Sequence, residues 1–207
     1  WLKFRYKPRY LPALIIYGAI AAVFSLILII GAPHLLWWGL VYLPLIVASF
    51  YLSWAKKERS LLARLVAIAA ACLVLPLAIN VDIPHPWFAA DAIAPKGWYL
   101  CALLTTYFAT TVPFVKTVIR ERNSTPWFVG SITVHVVVVL AMAALAVQGY
   151  NYWTHVLVWV LLTGRAIAMP LLAKRRGVPW RPRNIGMPEI GYSLLVFATL
   201  PYGLAFP

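Results

Sequence analysis

The chain has 207 residues, 63% hydrophobic and only 11% charged, with a mean hydropathy of +0.84. A soluble domain carries about 25% charged residues, so this composition excludes an ordinary water-soluble globule. A net charge of +13 does not point to nucleic acid either, because the bases stand in short clusters between apolar runs and not along one face of a soluble fold.

The chain opens with WLKFRYKPRY, where Lys3, Arg5, Lys7 and Arg9 precede the first long apolar run. There is no initiator Met, hydrophobic signal core or cleavage site, so the opening reads as the inside of a loop in a longer protein. Residues 11–31 follow as a first helix, long enough to cross a hydrocarbon layer of about 30 Å. The turn GAPH leads to a second helix over 35–54, with Trp37 and Trp38 at one interface and Trp54 at the other. A basic loop, 55–60, carries Lys56, Lys57, Glu58 and Arg59, and 61–79 returns as the third helix. Residues 80–96 hold Pro84, Pro86, Pro95, Asp82, His85 and Asp91 but a single base, Lys96, and read as a stiff outer connector.

Residues 97–115, 126–148, 152–173 and 187–206 complete a set of seven spans. The fold class expected is all-α, a polytopic transmembrane helix bundle forming one domain, since apolar runs of about 20 residues exclude a barrel. With residue 1 in the cytoplasm, 16 of the 18 bases fall on that side, leaving Lys96 outside and Arg165 within a span. Ser60, Thr125 and Asn184 stand where a helix cap is useful. Cys72 and Cys101 lie in apolar runs without CxxC spacing and read as small buried side chains.

Function is sought among polar groups inside the spans, because a charge at mid-membrane costs at least about 2.5 kcal/mol without a partner or water path. Arg165 lies about 13 Å below the cytoplasmic end of its helix, and His135 and Thr106 share roughly that depth on the two preceding spans. Tyr107, Thr110 and Thr111 extend the stripe, and Glu189, Tyr192 and Ser193 recur at i, i+3 and i+4 on the last span. One reading is a cytoplasm-facing cavity lined by Thr106, Tyr107, Thr110, His135, Arg165 and Glu189, suited to a small anion or an anionic lipid head. The alternative is structural. The threonines bond their own helix, His135 is a neutral interhelical donor, Arg165 sits in an ion pair, and Glu189, after Pro188 in a first helical turn, complements the helix dipole. Of the five acids, Asp82 and Asp91 lie on the outer side and Glu58 and Glu121 in base-rich loops, which leaves Glu189 as the partner for Arg165.

At the membrane surface Lys56, Lys57, Arg59, Lys116, Arg120 and Arg122 are expected to meet anionic head groups. Lys116 and Arg120 would share one face if the helix runs on beyond residue 115. Asp82 and His85 are too few to make a metal site. No catalytic set, phosphate-cradling glycine loop or cofactor motif stands out.

The tract KKERSLL at 56–62, VKTVIRERNS at 115–124 followed by His135, Arg165, and GMPEI at 186–190 together resemble the YwiC-like integral membrane proteins of Gram-positive bacteria. The resemblance implies a bacterial cytoplasmic-membrane protein, nine helices in the full-length molecule, and no established activity. Ala63 and Arg64 stand where that family has Asn and Asp. The nine-helix plan is also similar to that of UbiA-like prenyltransferases, the alternative reading, with KFRYKPRYLP faintly like their diphosphate-binding loop. Those enzymes hold Mg²⁺ through Asp-rich motifs, and none is present here.

Overall fold

The computed structural model describes residues 11–91, 93 and 95–201, and among them all regular structure is helical. The helices are α1 (Leu11–Gly31), α2 (Gly39–Trp54), α3 (Leu61–Cys72), α4 (Val74–Asn80), α5 (Pro95–Ile119), α6 (Thr125–Val147), α7 (Trp153–Arg176) and α8 (Pro182–Thr199), with a 3₁₀ turn over Pro33–Trp38. The turn runs directly into α2, and α3 and α4 are separated by one residue. Among the described residues the helices thus form the seven rods expected, of which six are long and apolar enough to cross a membrane. It divides into two compact units, one ending at Cys101 and one starting at Ala102, with the boundary inside α5.

In the first unit α2 packs on α3, and the 3₁₀ turn packs against α1, α2 and α4. The GAPH stretch is therefore mostly helical and not an open turn. None of the residues of α1 is buried, as suits an apolar rod surrounded by lipid. The break after Cys72 has a local cause. Pro76 lacks the N–H that would bond the Cys72 carbonyl in a continuous helix, and the Cys101 thiol donates to that carbonyl at 3.3 Å instead. Ser60 caps α3, its hydroxyl accepting from the Ala63 amide at 3.1 Å. Thr125 and Asn184 lie inside their helices, and Ser124 and Arg181 hold the cap positions.

The core of this unit gathers Ala32, Leu35, Trp38 and Ile93. Trp38 stacks on Trp98 with ring centroids 5.9 Å apart and donates its indole N–H to Asn80 Oδ1 at 2.8 Å. The Asn80 amide in turn donates to the His85 carbonyl at 3.0 Å, fastening the proline-rich connector to the end of α4. Gly97 lets α5 pass close to this core, since a Cβ there would lie 2.7 Å from Ile79 Cδ1 and would make that side chain shift.

In the second unit α6 packs along α7 and α7 along α8. Phe114, Val118, Ala166 and Ile185 form its core. α5 continues past residue 115 to Ile119, and the Arg120 amide still bonds the Lys116 carbonyl at 3.0 Å. α7 ends at Gly177, whose φ of 65° is the left-handed conformation that stops a helix. α8 departs most from its expected bounds. It begins at Pro182 and not at Met187, because a proline at the first helical position has its φ preset and no amide to leave unbonded. The end expected at residue 206 lies outside the described residues.

Candidate functional site

In the second unit α6 and α7 each turn inward one face that includes polar residues, and the spacing explains which residues lie on it. On α7 the buried residues include His155, Trp159, Leu162, Arg165 and Ala166, and on α6 they are Ser131, His135, Val138, Met142 and Ala146. Both sets repeat every three or four positions, the face of a 3.6-residue helix. Arg165 is thus carried into the interior by its register with Trp159 and Leu162 and is only 5% exposed.

Its guanidinium is held three ways. Nη1 donates to Glu189 Oε1 in an ion pair between α7 and α8. Its central carbon lies 4.0 Å from the centroid of the Phe114 ring and 4.8 Å from that of Tyr192. Stacking on aromatic faces suits the planar, weakly hydrated guanidinium better than an ammonium. Arg165 Nε and Nη2 are buried with no protein acceptor. The Glu189 side chain is 21% exposed against 3% for that of Arg165, so the acid forms the open side of the pair.

Around this pair the other predicted residues take distinct roles. Tyr107 is 1% exposed and its hydroxyl shares a 2.9 Å hydrogen bond with Ser193. Arg165 and Glu189 both lie within electrostatic reach of Tyr107, and Arg165 within reach of His135. The His135 ring is fully buried. Its Nδ1 lies 2.8 Å from the Ser131 carbonyl, so this nitrogen carries the proton and donates, leaving Nε2 as an acceptor without a protein donor. Thr106 donates to the Ala102 carbonyl and Thr110 to the Tyr107 carbonyl, both at 2.8 Å. Their protons are therefore spent on their own helix, as the structural reading of the threonines holds.

Glu189 needs one correction. Because α8 starts at Pro182, the acid is the eighth residue of its helix and not part of a first turn. The dipole explanation fails, since that effect fades within the first turn. The ion pair with Arg165 is its physical role.

At the loop ends of α5, α6 and α7 a cleft of about 350 Å³ is lined by Arg122, Asn123, Ser124, Thr125, Phe128, Pro170, Leu171 and Lys174. A second, of about 260 Å³, shares Arg122, Asn123, Pro170 and Lys174 and extends to Gly177 and Pro179. Arg120 and Arg122 border an open hollow with Glu121 and Ser124, whereas Lys116 sits 3.9 Å over the Trp127 ring. In the first unit the loop with Lys56, Lys57 and Arg59 turns at Lys56, whose φ is 57°. In the proline-rich connector after α4, His85 Nε2 lies 3.5 Å from Asp91, and among the described residues no three His, Cys, Asp or Glu side chains group to hold a metal.

Sequence reasoning missed His155. Trp159 donates its indole N–H to His155 Nε2 at 3.1 Å. His155 Nδ1 then faces Thr199 Oγ1 at 2.9 Å, and Thr199 donates to the Leu195 carbonyl at 2.8 Å. The donor on Nε2 leaves the proton on Nδ1, so this is a satisfied neutral chain joining α7 to α8. The i, i+4 spacing of His155 and Trp159 was its one signal in the sequence.

The family model described as YwiC-like protein matches residues 1–79. A curated relative, the uncharacterized protein YwiC of Bacillus subtilis (strain 168), is 26% identical over 108 residues, covering 52% of this chain and 42% of that protein. The match thus spans less than half of the relative's length. No solved structure matches. The family match ends before α5, so the Arg165 centre lies beyond it. The KKERSLL tract falls within the match, and the similarity of this chain to the YwiC-like family is shown over residues 1–79.

Proposed function

We propose that this multi-pass membrane protein binds a small oxyanion, free or as the head of an anionic lipid, at the Arg165 centre, reached from the basic end of its helices. The observation that carries the reading is a buried guanidinium with two nitrogens, Nε and Nη2, lacking protein acceptors beside a partly exposed carboxylate. Buried donors of this kind seek an acceptor. Arg is the residue suited to bidentate recognition of carboxylate and phosphate. Glu189 is then the resident counter-ion that an incoming anion competes with.

Inorganic phosphate and acetate are the probes, titrated by calorimetry against the purified protein. Glu189→Gln removes the competing charge and is expected to tighten binding about tenfold, and Arg165→Gln to abolish it. Equal affinity in the wild type and both variants sinks the proposal.

The same reading places the protein in a bacterial cytoplasmic membrane with residue 1 facing the cytoplasm, supported by the Bacillus relative and the clustering of bases. A cytoplasm-active reporter inserted in 174–186 and a periplasm-active one after Pro207 are both expected to be active. Activity of each on the opposite side removes the orientation.

A further inference from the structure

The geometry points to the cleft between Arg122 and Lys174 as a seat for one anionic phospholipid, with the phosphate between the two bases and the acyl chains leaving over α6 and α7. It rests on different residues from the Arg165 centre and stands whether or not that centre binds an anion. Arg122 is anchored by its Nε, which donates to the Val118 carbonyl at 3.1 Å, so its terminal nitrogens remain for a ligand. Among the described residues no carboxylate pairs with Arg122 or Lys174.

The same cleft has an apolar lining as well, from Phe128, Pro170 and Leu171. Leu171 is 41% exposed, and Val129, one residue beyond Phe128, is 53% exposed, so the apolar side continues onto the outer surface of the helices. The cleft lies where α6 begins and α7 ends, at the change from apolar span to basic loop. That is the level of lipid phosphates in a bilayer. Ser124, which makes no side-chain capping bond, adds a free hydroxyl. A soluble anion would use the bases and leave the apolar wall without purpose, whereas a phospholipid uses both. The combination decides between them.

The test uses the whole chain purified in neutral detergent, with phosphatidylglycerol, phosphatidylcholine or inorganic phosphate added at equal concentration. Lipid retention is read by native mass spectrometry and stabilisation by thermal unfolding. Phosphatidylglycerol is expected to raise the unfolding midpoint and to be retained at one molecule per protein that depends on Arg122 and Lys174, phosphatidylcholine to do neither, and any stabilisation by inorganic phosphate, which the Arg165 centre would take, to be the same with and without these two bases. Arg122→Gln with Lys174→Gln is expected to weaken retention about thirtyfold, since each base near the surface contributes a factor of about five. Arg122→Lys, which keeps the charge, is expected to retain most of it. Lys96→Gln, at the start of α5, is expected to change nothing. Equal retention of the two lipids, undiminished retention by the Arg122 and Lys174 variant, or a stabilisation by inorganic phosphate that this variant loses overturns the proposal.

Discussion

Replacing Arg165 by leucine is expected to lower the unfolding free energy by about 3–5 kcal/mol, the cost of removing one partner from a buried ion pair. The loss has two sources. Glu189 is left ionised with no cation beside it, and the guanidinium no longer fills the space between Phe114 and Tyr192. Glu189→Gln is milder, because the amide oxygen still accepts from Arg165 Nη1 although the charge is gone. The double variant, leucine with glutamine, is expected to recover much of the single loss, since neither side retains an unpaired charge. The measurement is equilibrium unfolding in mixed micelles over the complete cycle. A coupling of about 2 kcal/mol or more supports the pair as a link between α7 and α8. Strictly additive losses show that Arg165 and Glu189 are not energetically joined.

That pair was legible in the sequence because few alternatives existed. With five acids in the chain, and four of them outside the spans or in basic loops, a deep arginine had one carboxylate to meet. The inward stripes were legible as well, since residues three and four apart share a helical face whatever surrounds it. Helix ends were less so. Pro182 and Pro188 are equally good starts, and the choice between them moved Glu189 from a first turn to a helix interior. Beyond that one ion pair, contacts between helices were not legible. Nothing in the spacing announces that Phe114 and Tyr192 lie against the guanidinium, or that Lys174 and Arg122 line one cleft, because ring orientation and groove shape arise only when helices pack. Asn80 is another such case, an ordinary polar residue at the edge of a loop in sequence and a fully buried one in the fold.

Asn80→Leu is accordingly expected to destabilise the first unit by about 3 kcal/mol, although it keeps the side-chain volume and adds apolar surface. Asn80 joins two groups that have no substitute. The Trp38 indole N–H loses its acceptor, and the His85 carbonyl loses the amide that ties the connector to α4. A buried donor or acceptor left without its partner costs about 1–3 kcal/mol, more than the bond contributes when made. His34, which bonds the Asn80 backbone carbonyl at 2.6 Å, is untouched by the substitution, so the end of α4 keeps one tie. Trp38→Phe removes the orphaned indole donor. Combined with Asn80→Leu it is therefore expected to cost less than the sum of the two single changes by about 1 kcal/mol, since both partners of that hydrogen bond are then apolar. Unfolding followed by tryptophan fluorescence checks the stability. Limited proteolysis checks the loop, where cleavage within 81–91 is expected to accelerate in Asn80→Leu and in its double variant but not in Trp38→Phe alone. A change below about 0.5 kcal/mol, with cleavage unaltered, is the range of ordinary surface substitutions. It would mean that the connector is held by Trp87, whose indole N–H donates to the Trp37 carbonyl at 2.9 Å, without need of Asn80.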